Sequence, residues 1–132
     1  MKALTLKQPW ADLVIFGDKR VENRSWPTQF RGEVLIHAGF GVDASGAIYA
    51  DRLPMPIEDN RIGMAGHIIG VATITDCLKR EQALAAGLSY VGHEKYCWII
   101  GDSRPVSPIP CRGFLGLWDV DFSDMLEYNQ IG

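Results

Sequence analysis

Gly66-His67-Ile68-Ile69-Gly70-Val71-Ala72-Thr73-Ile74-Thr75 has the Ile, Val and Thr content of a long strand. Gly66 and Gly70 mark places where that strand bends, as a sheet must when it curls toward a barrel. Upstream, Val34-Leu35-Ile36-His37-Ala38 is a second β-prone run of buried type. Downstream, Tyr96-Cys97-Trp98-Ile99-Ile100 and Phe114-Leu115-Gly116-Leu117-Trp118-Asp119-Val120 read as two more strands. Between them the chain turns around Asp102-Ser103-Arg104-Pro105 and continues as an extended, proline-rich stretch. At the N-terminus, Leu4 and Leu6 alternate with Thr5 and Lys7 as in a half-buried strand. Strands that follow one another without regular helical crossovers favour a mixed α+β barrel over a doubly wound parallel sheet.

Helices enter at three places. Gln8-Pro9 opens a short one from about Pro9 to Phe16, with Trp10, Leu13 and Val14 in phase and Gly17 as its stop. Asp43 caps a second through roughly Arg52, with Ala44, Ala47, Ile48 and Leu53 facing inward. Lys79 through Leu88 forms a third, ended by Gly87. Arg20 to Arg24 is extended until Ser25-Trp26-Pro27-Thr28 breaks it, and Pro54-Met55-Pro56 with Glu58 and Asp59 forms a loop.

A chain of 132 residues with 47% hydrophobic and 22% charged residues fits one globular domain, residues 1–132. No apolar run approaches the ~20 residues that cross a bilayer. Met1 to Lys7 lacks the apolar segment of a secretory signal, so a cytoplasmic, membrane-free protein is expected. Cys77, Cys97 and Cys111 are odd in number and form no C-x-x-C pair, which suggests buried thiols rather than a disulfide framework or zinc site. No histidine or cysteine pair has ligand spacing, so no metal and no cofactor is expected. The net charge of −3 excludes a global basic field. Residues 1–40 nevertheless carry six Lys and Arg against four Asp and Glu, +2, which leaves −5 for the remainder. A small local contact to phosphate fits that distribution better than extended duplex binding.

The segment Gly17-Asp18-Lys19-Arg20-Val21-Glu22-Asn23-Arg24 concentrates charge on a glycine-initiated turn entering a strand. With side chains alternating, Glu22 and Arg24 share one face and Val21 and Asn23 the other. Lys19, at the turn, can lean over that pair as a mobile cation. The same residue types also describe a solvated surface salt bridge, the commoner fate of exposed charges, and the residues alone leave both readings open.

Gly17, Lys19, Glu22 and Arg24 resemble the G-x-K-x-x-E-x-R signature of the ASCH (activating-signal-cointegrator homology) family. Lys7-Gln8-Pro9-Trp10-Ala11 resembles the family's Q-P-W element, and Glu22 to Thr28 its extension in a bacterial and phage-type branch. Ile68 to Ala72 and Pro110-Cys111-Arg112-Gly113-Phe114-Leu115-Gly116-Leu117-Trp118 look like later strands of that branch, so the likeness runs along nearly the whole chain. The resemblance implies a PUA-like barrel with a cleft beside the early helix, and an RNA or a modified nucleoside or nucleotide as partner. Lys19 and Arg24 would meet phosphate or a carbonyl, and Trp10 or Trp26 would offer stacking surfaces. Gln8, Glu22, Ser25 and Arg112 complete the expected ligand-binding set.

Parts of the family are hydrolases of acylated cytidine or of RNA, which makes Lys19 and Glu22 candidate catalytic residues. In the amidohydrolase branch the nucleophile is a threonine three residues after the signature lysine; here that position is Glu22. Ser25 would face away from Glu22 and Arg24 and is a poor substitute hydroxyl. A protein-interaction domain is the third alternative. Among the histidines, His37 reads as a hydrogen-bonded core residue and His67 and His93 as solvated turn residues. The sequence leaves the oligomeric state open.

Overall fold

The computed structural model describes residues 1–53 and 64–121. The loop expected around Pro54, Met55, Pro56, Glu58 and Asp59 lies outside them. Six strands, β1 (Lys2–Gln8), β2 (Val21–Arg24), β3 (Gly32–Val42), β4 (His67–Lys79), β5 (Tyr96–Pro110) and β6 (Leu117–Asp119), form one sheet in the order β2-β5-β4-β3-β1-β6. All pairings are antiparallel except β1 with β3, which keeps the sheet mixed. Two short α-helices accompany it, α1 (Trp10–Ile15) and α2 (Arg80–Ala85).

The sheet curls on itself. Leu4, Leu6, Glu22, Val34, Ile36, Ala72, Ile74, Trp98 and Ile100, drawn from β1 to β5, line one common interior. Ala11, Val14 and Ile15 of α1 belong to the same core. On the opposite face of β3 and β4, Leu35, Ile68 and Val71 pack with Trp118 and Val120. Closure is incomplete. Instead of a backbone ladder, a side chain of β2 reaches β1: Arg24 Nη2 donates to the Thr5 carbonyl at 3.2 Å.

Of the two expected bends, the one at Gly70 coincides with register shifts, at Ile36/His37 against β3 and Ile68/Gly70 against β5, whereas Gly66 precedes β4 at φ 76°. Two further shifts against β5, at Ala72/Ile74 and Ile74/Asp76, involve no glycine of β4, and such bulges increase local twist. Gly70 has a packing reason as well. A Cβ there would lie 2.6 Å from the Arg104 carbonyl oxygen and 2.6 Å from Ile15 Cδ1. Gly70→Ala is therefore expected to cost about 1–3 kcal/mol by overpacking. A fall in the urea midpoint checks this; an unchanged midpoint contradicts it.

Four sequence expectations change. The segment after Asp43 is a 3-10 helix, Ala44–Arg52, and Ala44, Ala47 and Ile48 are exposed instead of packing inward. Gly46 is pressed against Pro9 and Trp10 with no room for a Cβ, so the segment's buried contact is a glycine rather than an apolar stripe. The turn expected around Asp102–Pro105 is absent, and β5 runs through it. There β5 pairs only with β4, since β2 reaches no further than Ile99, and the free edge tolerates the prolines. The last strand is confined to Leu117–Asp119, and Phe114 and Leu115 are exposed. The third expected helix shortens to α2, ended by a Schellman motif. Gly87 sits at φ 73°, the Leu88 N–H bonds the Ala83 carbonyl, and the Gly87 N–H bonds the Leu84 carbonyl.

Candidate functional site

Lys19 reaches its position through the turn that ends α1. The N–H groups of Gly17 and Lys19 both bond the Leu13 carbonyl, at 3.1 Å each. A Cβ at Gly17 would lie 2.9 Å from that oxygen, so the glycine is kept for space; its φ is not in the left-handed region. The tight turn drives the Lys19 side chain inward. β2 then presents Glu22 and Arg24 on one face, as alternation requires, while Val21 packs with Ala83 and Cys97 on the other. Asn23 shares that other face and clamps a loop, donating to the Tyr90 carbonyl and accepting from the Gly92 N–H, both at 2.9 Å.

Lys19 is 2% exposed, Glu22 12% and Arg24 16%. These values replace the solvated salt bridge and the mobile lysine with a fixed, largely dehydrated group. Lys19 Nζ lies 3.4 Å from Glu22 Oε1 and donates to the Val21 carbonyl. Glu22 Oε2 lies 3.2 Å from Arg24 Nε, outside hydrogen-bonding geometry, so that contact is an ion pair. Burial pushes the Lys19 ammonium below the ordinary lysine range, against the attraction of Glu22 and with a smaller push from Arg24. The result is an amine that gives up its proton more readily than a surface lysine.

Aromatic rings wall this floor. Lys19 Nζ is 5.5 Å from the Trp10 ring centroid and 5.9 Å from that of Tyr90, within cation–π range. Tyr49 joins the two, 5.8 Å from Trp10 and 4.8 Å from Tyr90. Arg52 lies 5.1 Å from both tyrosine rings and 3.8 Å from Asp18, which also accepts the Tyr90 hydroxyl proton. Trp10 Nε1 donates to Asp43 at 3.1 Å, and this bond, with a stronger one from Ser45, holds the Asp43 carboxyl below its usual range. Tyr90 has φ 68°, the one non-glycine at positive φ among the described residues. Such backbone persists only where surroundings over-determine it, and Asn23 and Asp18 supply that constraint. On the other side, the Arg24 guanidinium lies 5.9 Å from Trp26 and 5.5 Å from Trp98, whose Nε1 donates to the Trp26 carbonyl. Of these groups Trp10, Lys19, Glu22, Arg24, Trp26, Asp43, Tyr49 and Tyr90 border a cleft of ≈ 940 Å³ rimmed by Phe40, Ile48, Phe114 and Leu115, with Asp18, Arg52 and Trp98 behind them.

Of the residues singled out in the sequence, Trp10, Lys19, Glu22, Arg24, Ser25 and Trp26 line the cleft. Gln8 does not. Both ends of its amide engage Asp12, at 3.1 Å each, so it serves the start of α1. Arg112 lies outside the lining, exposed, with its guanidinium 5.5 Å from the Phe114 ring. Tyr49, Arg52, Asp43 and Tyr90 were not legible, because they come from segments distant in sequence and carry no local pattern. His37 is a buried core histidine bonded to Thr5 and to the Cys111 carbonyl. Among the described residues no group of His, Cys, Asp and Glu could hold a metal, and no helix is long and apolar enough to cross a membrane.

The profile of the ASCH domain matches residues 4–106, a span that contains Gly17, Lys19, Glu22 and Arg24. The chain belongs to the ASCH family. This ASCH domain is 34% identical to human activating signal cointegrator 1 and 29% identical to the mouse protein over 127 residues, 89% of its own length. It spans only 22% of the length of each of those relatives. Its fold is that of the stand-alone ASCH protein of Zymomonas mobilis, at a TM-score of 0.58 and 16% identity, covering 98% of this chain and 94% of the other. A single-substitution variant of that protein gives 0.57 over the same shares. The open, curled sheet is thus the PUA-like architecture of this family.

Proposed function

We propose that this ASCH domain binds single-stranded RNA or a modified nucleoside in the cleft over Lys19, Glu22 and Arg24. The observation that carries the reading is the buried Lys19–Glu22–Arg24 floor set between aromatic walls. Unpaired bases are held by stacking on rings and by hydrogen bonds to their edges, and strand backbones by cations. Glu22 can accept from an exocyclic amine, Lys19 and Arg24 can donate to a carbonyl or phosphate, and Trp10 and Trp26 can stack. Kinship with a signal cointegrator supports a nucleic-acid-associated setting. A protein-interaction surface has no need of a dehydrated ion pair at its floor. Fluorescence anisotropy with a short single-stranded RNA tests this. Affinity should fall with salt, by a slope of about −0.7 for each phosphate neutralised, and Arg24→Glu should weaken it at least tenfold. Binding indifferent to both changes, or none, would sink the RNA reading, and absence of binding to nucleosides as well would sink the whole.

One observation favours a second reading, hydrolysis of an acylated nucleoside or of RNA: the lowered proton affinity of Lys19 beside a carboxylate. For an acylated nucleoside, a neutral Lys19 amine can take a proton from the water that attacks the acyl carbon and return it to the departing exocyclic nitrogen, held by Glu22, as the acyl C–N bond breaks and the carboxylic acid leaves. Mass spectrometry of the parent and Lys19→Ala proteins against acylated nucleosides and short RNAs decides it. Product from the parent alone supports catalysis; equal product from both, or none, removes it.

A further inference from the structure

Two aromatic surfaces, rather than one, border the charged floor, and each has its own cation. Lys19 lies over Trp10 and Tyr90, which Tyr49 joins into a continuous cluster. Arg24 serves Trp26, which pairs with no other ring among the described residues and stands 48% exposed. The Glu22 carboxylate separates the two, with one oxygen toward each cation. A lone planar base uses one such surface. The volume, ≈ 940 Å³, lies near the top of the ~300–1,000 Å³ range of sites for drug-sized ligands, more than one base with its sugar requires.

Resting on the binding reading above, we propose that the cleft takes two consecutive nucleotides of a single strand, with one base against the Trp10–Tyr49–Tyr90 wall and the next against Trp26. Arg24, beside Trp26 and ion-paired with the Glu22 carboxylate that separates the walls, meets the linking phosphate. Lys7 offers a second cation on the rim, its stem laid along Gly41, where a Cβ would come within 3.3 Å of Lys7 Cγ. The preferred ligand is therefore a dinucleotide step of RNA rather than a free nucleoside. Trp26 adds affinity for the second base without belonging to the first base's site.

Calorimetry with a nucleoside and with the dinucleoside monophosphates that contain it separates the possibilities. Stacking of a second base should make the dinucleotide bind roughly 5- to 150-fold tighter than the nucleoside, the range one base–aromatic stack supplies. Trp26→Ala should cost the dinucleotide that whole increment and the nucleoside far less, so that the two ligands bind about alike. The variant should fold, because Trp98 bonds the Trp26 carbonyl and not its ring. Trp26→Leu, which keeps apolar bulk, should lose the same increment. Nucleoside binding with no dinucleotide gain, or a Trp26→Ala loss equal for both ligands, overturns the two-base inference and leaves the binding reading standing. Failure of both ligands to bind overturns both.

Discussion

Glu22→Gln is expected to destabilise this ASCH domain by about 3–5 kcal/mol at neutral pH, the cost of leaving buried charge without its partner. Glu22 is, among the described residues, the carboxylate that pairs with both Lys19 and Arg24, and its amide isostere keeps the shape while removing the charge. Two cations then face each other across a neutral group in a dehydrated pocket. Against a typical total of about 5–15 kcal/mol that loss is large, and it should lower the unfolding temperature by on the order of 10 °C. The deficit should shrink as pH rises. Burial already holds Lys19 in the folded protein below its ordinary value of 10.5, and losing Glu22 removes the main opposing attraction. Between the lowered folded value and 10.5 the unfolded chain binds more protons than the folded one, so stability increases with pH in that window. Urea unfolding of parent and variant at several pH values measures it. A loss under 1 kcal/mol, or one that grows with pH, would contradict the geometry.

Lys19→Met should separate stability from function. Methionine matches the length of the lysine stem and asks for no hydration, while Glu22 keeps its pairing with Arg24 at 3.2 Å. Removing one member of a buried ion pair ordinarily costs about 3–5 kcal/mol, and because Arg24 stays beside Glu22 the loss at pH 7 should be smaller than that of Glu22→Gln. The rise of stability toward pH 10.5 should flatten, since Lys19 supplies it. Ligand binding should fall at least a hundredfold, because the floor loses the amine set among Trp10, Tyr90 and Glu22. A variant that binds like the parent would remove Lys19 from the site, whatever its stability.

Alternation made much of the fold legible. β3 and β4 announce themselves by β-branched content and β1 by the alternation of Leu4 and Leu6, and the shared face of Glu22 and Arg24 follows from strand geometry alone. Lys19 was placed correctly along the chain, while its depth, solvated or buried, stayed open. Its burial depends on the Gly17 turn bonding back to Leu13, a tertiary outcome that residue type argues against, since lysine is rarely buried. Proline suggested a break in β5, but pairing on one edge alone lets the strand continue. The segment after Asp43 carries a helical pattern whose apolar residues find no core, and tertiary contact at Gly46 prevailed over periodicity. The second half of the cleft was illegible for a different reason. Tyr49 and Tyr90 meet over Lys19 only because Asn23 and Asp18 pin the Tyr90 loop, and such long-range convergence leaves no mark on local sequence.

Four tryptophans make the central claim directly testable, because each indole N–H gives its own nuclear magnetic resonance signal. Trp10 and Trp26 line the cleft, Trp98 touches it through Arg24, and Trp118 stands behind it, packed with Leu35 and Val71, its indole N–H on Thr5 Oγ1 and its ring against Phe114 of the rim. On titration of the ¹⁵N-labelled domain with a short single-stranded RNA, the Trp10 and Trp26 indole signals should move saturably and furthest, and those of Trp98 and Trp118 less. Movement of Trp118 with Trp10 and Trp26 still would place the ligand on the other face of the sheet and contradict the cleft as the binding site.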